Sequence, residues 1–199
     1  MEDRIVFFDL ETAGRDPKEH CVIQIAAVAV DAVSFDVIDE FEAKIKFNEA
    51  RADPEALELN SYDPAVWQEE AVYVRSAVSA FTTFLRHNAT VTKTSRRTGE
   101  EYHVAELAGH NVAAFDMPFL RRLYRREFLP AAFLSLDTLQ LANWWRRVSA
   151  PDIENLKLAT LAEYFGVSSE GAHDALVDVH INIKVARRLL EEMRPAQAA

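Results

Sequence analysis

The run Ile5-Val6-Phe7-Phe8-Asp9-Leu10-Glu11-Thr12 does most to limit what this chain can become. Four consecutive apolar residues suit a strand covered on both faces, which belongs in the interior of an α/β fold. Asp9 and Glu11 follow where that strand is expected to end. Residues two apart on a strand face the same side, so the two carboxylates aim into one small volume at a sheet edge. Close carboxylates repel unless a proton or a cation lies between them. Oxygen donors suit hard ions such as Mg²⁺ or Mn²⁺. Taken alone, however, an Asp at such a position more often does no more than shape a turn.

The pattern beyond this strand alternates between the two periodicities. Cys21 to Val30 reads as a second strand, and Phe35 to Phe47 alternates apolar and polar residues as a half-exposed third strand does. Short connections join the three, which predicts an antiparallel meander. Asp53-Pro54 and Asp63-Pro64 each read as an N-cap followed by proline in the first helical position. Val72 to Leu85 has helical spacing. Residues 90–104 break it with a hairpin or loop carrying Lys93, Arg96 and Arg97 near its tip. A fourth strand is expected over Val104 to His110, a helix over Phe115 to Arg126, and a short strand over Phe133 to Leu136 that ends at Asp137. Helices follow over Thr138 to Arg147, Leu156 to Phe165 and His173 to Met193, and Pro195 to Ala199 reads as a frayed tail. With no repeat, linker or low-complexity segment, the expectation is a single domain over residues 1–199 with a hairpin insertion at 90–104.

Lys and Arg total 22 against 32 Asp and Glu, a net charge of −10. A protein that grips phosphates with its whole surface is basic, so an architectural nucleic-acid binder is excluded. An enzyme that reaches phosphates through bound cations is not, because such ions invert the local charge. Cys21 is the one cysteine, so no intramolecular disulfide can form. With no secretory signal and no apolar run of about 20 residues, a cytoplasmic protein without a membrane partner is expected.

Two further segments present acids. In Gly109-His110-Asn111-Val112-Ala113-Ala114-Phe115-Asp116 an apolar strand gives way to polar residues and then a helix. Asp116 alone reads as a first-turn acid favoured by the helix dipole. In His173-Asp174-Ala175-Leu176-Val177-Asp178 a histidine lies near a helix start. An Asp follows it on a helix with apolar neighbours, where a lone buried carboxylate is costly.

With these motifs in this order, the chain resembles the DEDD superfamily of 3′–5′ exonucleases, in the histidine branch that includes proofreading-subunit-like exonuclease domains. The likeness runs from about Arg4 to Leu190. It rests on Phe8-Asp9-Leu10-Glu11-Thr12, on His110-Asn111 with Phe115-Asp116, and on His173 with Asp178 five residues later. The resemblance implies a ribonuclease-H-like α/β fold with a mixed, mostly five-stranded sheet flanked by helices. It implies two divalent metal ions, Mg²⁺ or Mn²⁺, held by Asp9, Glu11, Asp116 and Asp178, with His173 as general base. Asp9 would bridge both ions, Glu11 and Asp178 would help hold the first, and Asp116 would support the second. Leu10, through its backbone, and Thr12 would meet the terminal nucleotide, while Asn111 and Phe115 would shape the adjoining pocket. For Phe115, helix packing is an equal reading. The resemblance also carries a strand-end acid at Asp137, read here as a helix cap.

The sequence departs from the family in Thr12-Ala13-Gly14, where relatives often have Thr-Thr-Gly, and in Gln24, where many carry glutamate. The expected substrate is the 3′ end of single-stranded DNA or RNA, cut to nucleoside 5′-monophosphates. A proofreading role would need a polymerase partner. The alternatives are a phosphoesterase acting on short oligonucleotides or small nucleotides, and a binding module that has lost catalysis. Arg121, Arg122, Arg125 and Arg126 read as a solvated helix face, and Trp144-Trp145 as packing.

Overall fold

A computed structural model describes residues 2–171 and 174–194. The first three strands are β1 (Arg4–Thr12), β2 (Val22–Asp31) and β3 (Val37–Lys44). They form the expected meander, with β2 antiparallel to both neighbours. The acids lie inside β1 rather than beyond it, because β2 pairs with them to the end: Asp9 faces Ala26 and Glu11 faces Gln24. A 3₁₀ turn (Glu49–Arg51) and three helices follow: α1 (Pro54–Leu59), α2 (Pro64–Glu70) and α3 (Val74–His87). Asp53 and Asp63 cap α1 and α2 through the amides of Glu55 and Ala65, each before a first-turn proline.

Residues 90–104 form a hairpin of β4 (Val91–Thr94) and β5 (Glu101–Val104), a two-stranded sheet of its own. Then come β6 (Glu106–Gly109), α4 (Asp116–Leu123) and β7 (Leu136–Asp137). The chain closes with α5 (Thr138–Ser149), α6 (Leu158–Tyr164) and α7 (Ala175–Met193). The main sheet has the order β3-β2-β1-β6-β7, with β6 parallel to β1 and β7 parallel to β6. The short strand expected over Phe133 to Leu136 is displaced to Leu136–Asp137. Phe133 and Leu134 stand in solvent, and the guanidinium of Arg121 covers the Phe133 ring.

Alternation along β1 sorts its side chains into two cores. Val6, Phe8 and Leu10 pack under α3 and α4, against Phe81, Met117 and Leu120. Ile5 and Phe7 face α7, against Ala175, Val179 and Ile183. On the outer side of α7, Ile181, Val185 and Leu189 meet Trp145 and Leu161 of α5 and α6. Trp145 is thus core, whereas Trp144 is exposed. Both faces of β1 and β2 are covered, which is why their apolar runs are continuous.

Candidate active site

The site opens where β6 stops and β1 continues. The parallel ladder pairs Ile5, Val6 and Phe7 with Glu106, Leu107 and Ala108. Residues Asp9 to Thr12 therefore extend past the end of β6, at the carboxyl edge of the sheet, where α/β folds usually place ligands. Gly109 makes the departure of the chain possible. A Cβ there would lie 2.7 Å from the Phe8 carbonyl oxygen and would strike the Val112 side chain. Beyond it, Asn111 adopts a left-handed φ of 61°, which asparagine tolerates better than most residues. Asp137 pins this bend by accepting the amides of Asn111 (3.0 Å) and Ala113 (3.1 Å), while also capping α5 through Leu139. Its role is thus wider than the helix cap expected from sequence.

Carboxylates reach this edge from both layers. Asp9 and Glu11 project toward α7, where Asp178 lies in the first turn. One carboxylate oxygen from each of Asp9, Glu11 and Asp178 lies within 4.8 Å of the others. Asp116 arrives from the opposite layer, in the first turn of α4. It is buried and outside that trio, and its Oδ1 accepts the Leu10 amide at 3.1 Å, beyond the end of the β6 ladder. The Leu10 N–H is therefore engaged by Asp116, and the Leu10 side chain is buried.

The electrostatics record the crowding. Burial, then Asp178 and Asp174, push the Asp9 carboxyl up to about 7. Burial, then Asp9, Asp178 and Asp174, push Glu11 to about 9. Asp116 is also raised, by burial and then by Asp9, with the Leu10 amide opposing. At neutral pH this cluster cannot carry its full negative charge without a counter-charge. An all-carboxylate donor set this close suits a hard divalent cation, so the residues fit the metal that the sequence motifs imply.

Asp174 is the member that sequence reasoning passed over. It caps α7 through the amides of Leu176 and Val177. Its other oxygen lies 3.5 Å from Nε2 of the buried Gln24, which also donates to Glu42 at 2.9 Å. An Asp one turn before Asp178 at a helix start was the available signal.

A cleft of about 430 Å³ holds Asp9, Glu11, Asp116 and Asp178 together with Leu10, Thr12, Asn111 and Phe115. His110, Arg15 and Asn60 line it as well. The Thr12 hydroxyl donates to the Gly14 carbonyl at 2.8 Å, and Asn60 Nδ2 donates to the Thr12 carbonyl at 2.9 Å. Phe115 lines the cleft and packs on Phe119 with ring centroids 5.4 Å apart. Burial lowers the His110 pKa, opposed by Asp137. His173 lies outside the described residues, as does the tail 195–199.

A parallel and antiparallel sheet with acids gathered at one carboxyl edge between two helical layers defines a ribonuclease-H-like exonuclease fold. Escherichia coli exonuclease I in complex with a dT13 oligonucleotide superposes with a TM-score of 0.75 at 21% identity, over 97% of this chain and 42% of that one. A moderately thermophilic exonuclease I from Methylocaldum szegediense gives 0.74 at 22% identity, over 97% and 41%. The chain belongs to the family described as the 3′–5′ exoribonuclease Rv2179c-like domain, which it matches over residues 4–190, and so to the DEDD superfamily. PolC-type DNA polymerase III of Oceanobacillus iheyensis is 26% identical over 196 residues, and that of Pediococcus pentosaceus 30% over 176. These spans are 96% and 88% of this chain but only 12% and 10% of the polymerases. Among the described residues no helix is long and apolar enough to cross a membrane.

Proposed function

We propose that this protein is a metal-dependent 3′–5′ exonuclease that hydrolyses the terminal phosphodiester of single-stranded RNA or DNA and releases nucleoside 5′-monophosphates. The observation that carries this reading is the convergence of Asp9, Glu11 and Asp178 within 4.8 Å, with Asp116 beside them, in the cleft of a chain that belongs to an exonuclease family. The family description favours RNA, while exonuclease I is described with DNA oligonucleotides and PolC is a DNA polymerase.

In this reading Asp9, Glu11 and Asp178 would hold one divalent ion, and Asp9 and Asp116 would support a second. Mg²⁺ or Mn²⁺ bound there supplies Lewis acidity at the scissile phosphate and charge for the leaving 3′-oxygen. His173 accepts the proton of the attacking water, the task an imidazole performs near neutral pH. The Leu10 amide, engaged by Asp116, orients that carboxylate instead of donating to substrate. The Thr12 hydroxyl proton is given to Gly14, so its oxygen accepts a hydrogen bond from the terminal nucleotide. Asn111 and Phe115 shape the pocket around that nucleotide. The span from Arg4 to Leu190 works as one exonuclease domain in the cytoplasm, and a proofreading role would require a polymerase partner.

The test is a time course on matched 5′-labelled single-stranded DNA and RNA oligomers with Mg²⁺, Mn²⁺ or EDTA. A ladder shortening from the 3′ end and abolished by EDTA is expected. Turnover of mononucleotide esters with both oligomers intact would move the assignment to a small-nucleotide phosphoesterase.

A further inference from the structure

A second cavity, about 450 Å³ in volume, adjoins the catalytic cleft and has the chemistry of a nucleotide site. The wall between the two is the β1–β2 connection: Gly14 and Arg15 face the cleft, while His20 and Cys21 face the second cavity. Helix α4 spans both. Phe115 lines the cleft, and Phe119, one turn on, lines the second cavity in ring contact with it. The floor is apolar, built from the buried Val22, Ile45 and Phe119.

The rim is cationic. Lys46, Arg51, Arg122 and Arg125 stand around it against a single acid, Glu19, in a chain whose net charge is −10. All four are exposed. The ion pairs recorded elsewhere engage Lys44, His180, Arg187 and Arg188, and among the described residues none of the four rim cations has an acidic partner. Arg122 holds the Pro17 carbonyl in the dividing wall. Arg51 and Arg122 both act electrostatically on Cys21, so their charges converge inside the cavity. Lys46 also lies over the Tyr73 ring, 5.0 Å from its centroid; cations without acidic partners around an apolar floor match a phosphate joined to a flat, apolar base, and the volume is within the range of small-ligand sites.

We infer that this cavity is an upstream subsite for the substrate strand, taking a nucleotide at least two positions on the 5′ side of the residue being removed, with its base on the Phe119 floor and its phosphate on the Lys46, Arg51 and Arg125 rim. The inference rests on the nucleic-acid reading of the adjoining cleft and adds a second point of grip.

Cys21 is the chain's sole cysteine and is exposed in this cavity, so its alkylation by iodoacetamide reports occupancy. Unlabelled oligomers from a dinucleotide to an octanucleotide are added in EDTA, and cleavage of the same series is followed separately in Mn²⁺. Oligomers long enough to span both cavities are expected to slow alkylation at least fivefold, whereas the dinucleotide leaves it unchanged, in keeping with stacking worth roughly 5- to 150-fold per base. The triple variant Lys46→Ala, Arg51→Ala, Arg125→Ala abolishes the protection and lowers the salt slope of binding by about two, near 0.7 per lost phosphate contact. The milder pair Arg51→Gln and Arg125→Gln weakens protection in the same direction, and a matching triple alanine variant at Lys93, Arg96 and Arg97 on the hairpin keeps it. Ladder cleavage without Cys21 protection at any length, or protection lost only in the hairpin variant, overturns the subsite and leaves the exonuclease intact. Protection without cleavage in any metal overturns the exonuclease, and with it the upstream assignment, and leaves the cavity as a nucleic-acid-binding site only.

Discussion

If Asp9, Glu11 and Asp178 are as crowded as their geometry indicates, the metal-free protein must become less stable as pH rises. Asp9 is raised from 3.8 to about 7 and Glu11 from 4.5 to about 9. Between those limits the folded protein binds more protons than the unfolded chain, so the free energy of unfolding falls with increasing pH. At about 1.4 kcal/mol per pKa unit, Asp9 alone withdraws up to about 4 kcal/mol by pH 8. Asp9→Asn removes that charge and also relieves Glu11. A domain of this size shifts its Tm by roughly 2–4 °C per kcal/mol, so in EDTA at about pH 8 the variant should melt roughly 5–15 °C above wild type. Near pH 4.5, where the Asp9 carboxyl is already neutral in the fold, the gain should vanish. Asp31, held low by the amides of Ser34 and Val33, acts in the opposite sense and only at the acid end, so it does not mask the trend. Excess Mn²⁺ should raise the wild-type Tm more than that of the variant, since only an intact site captures the ion, and the variant should not cleave. The assay is thermal unfolding by circular dichroism from pH 4.5 to 9, with EDTA or Mn²⁺. A wild-type Tm in EDTA that is flat or rising over this range, or an Asp9→Asn protein less stable than wild type at pH 8, would refute the crowding argument.

The remaining predictions concern the base and the bend. His173→Ala should slow single-turnover cleavage by about 10²–10⁴-fold while leaving Mn²⁺ affinity near wild type in calorimetry. Loss of metal binding instead would make His173 a ligand. Gly109→Ala puts a Cβ against the Phe8 carbonyl and should cost about 1–3 kcal/mol, read as a fall in denaturant midpoint. It should also lower cleavage further than the stability loss explains, because the bend carries Asn111 and Phe115. An unchanged midpoint would show that the backbone absorbs the extra atom freely.

The parts of this fold that depend on local pattern were legible in the sequence. The uninterrupted apolar runs of β1 and β2 announced strands covered on both faces, and the two Asp-Pro pairs announced helix starts that the side-chain bonds of Asp53 and Asp63 realise. The candidate acids were legible through their order and spacing. Features set by distant partners were not. Asp9 and Glu11 lie within β1 because β2 continues alongside them, which apolar content alone does not reveal. Asp174 was quoted within its motif but given no task, since its influence on Asp9 and Glu11 comes from α7 docking onto the sheet. The same holds for Arg122 and Arg125. Read along the helix expected over Phe115 to Arg126 they belong to a solvated face, yet they share a cavity with Lys46 and Arg51, which lie more than seventy residues earlier in the chain.

That arrangement resolves the apparent conflict between an acidic chain and a polyanionic substrate. Electrostatic attraction to phosphates falls off over roughly 10 Å in physiological salt, so the sign of the nearby field matters more than the net charge. The acids at the end of β1 repel phosphate only while they lack counter-ions, and the burial and crowding that raise the Asp9 and Glu11 pKa values favour the uptake of a proton or a cation. Across the β1–β2 connection, four cations without acidic partners present the opposite sign to the same strand. On the proposed reading, a strand threaded between them would be drawn by its phosphates to the Arg51 and Arg125 side, and its terminal bond would meet the carboxylate side only when cations are loaded there. Binding and cleavage then depend differently on ionic conditions. Monovalent salt is then expected to act chiefly on the basic cavity and weaken affinity, and chelation to act on the carboxylates and remove turnover.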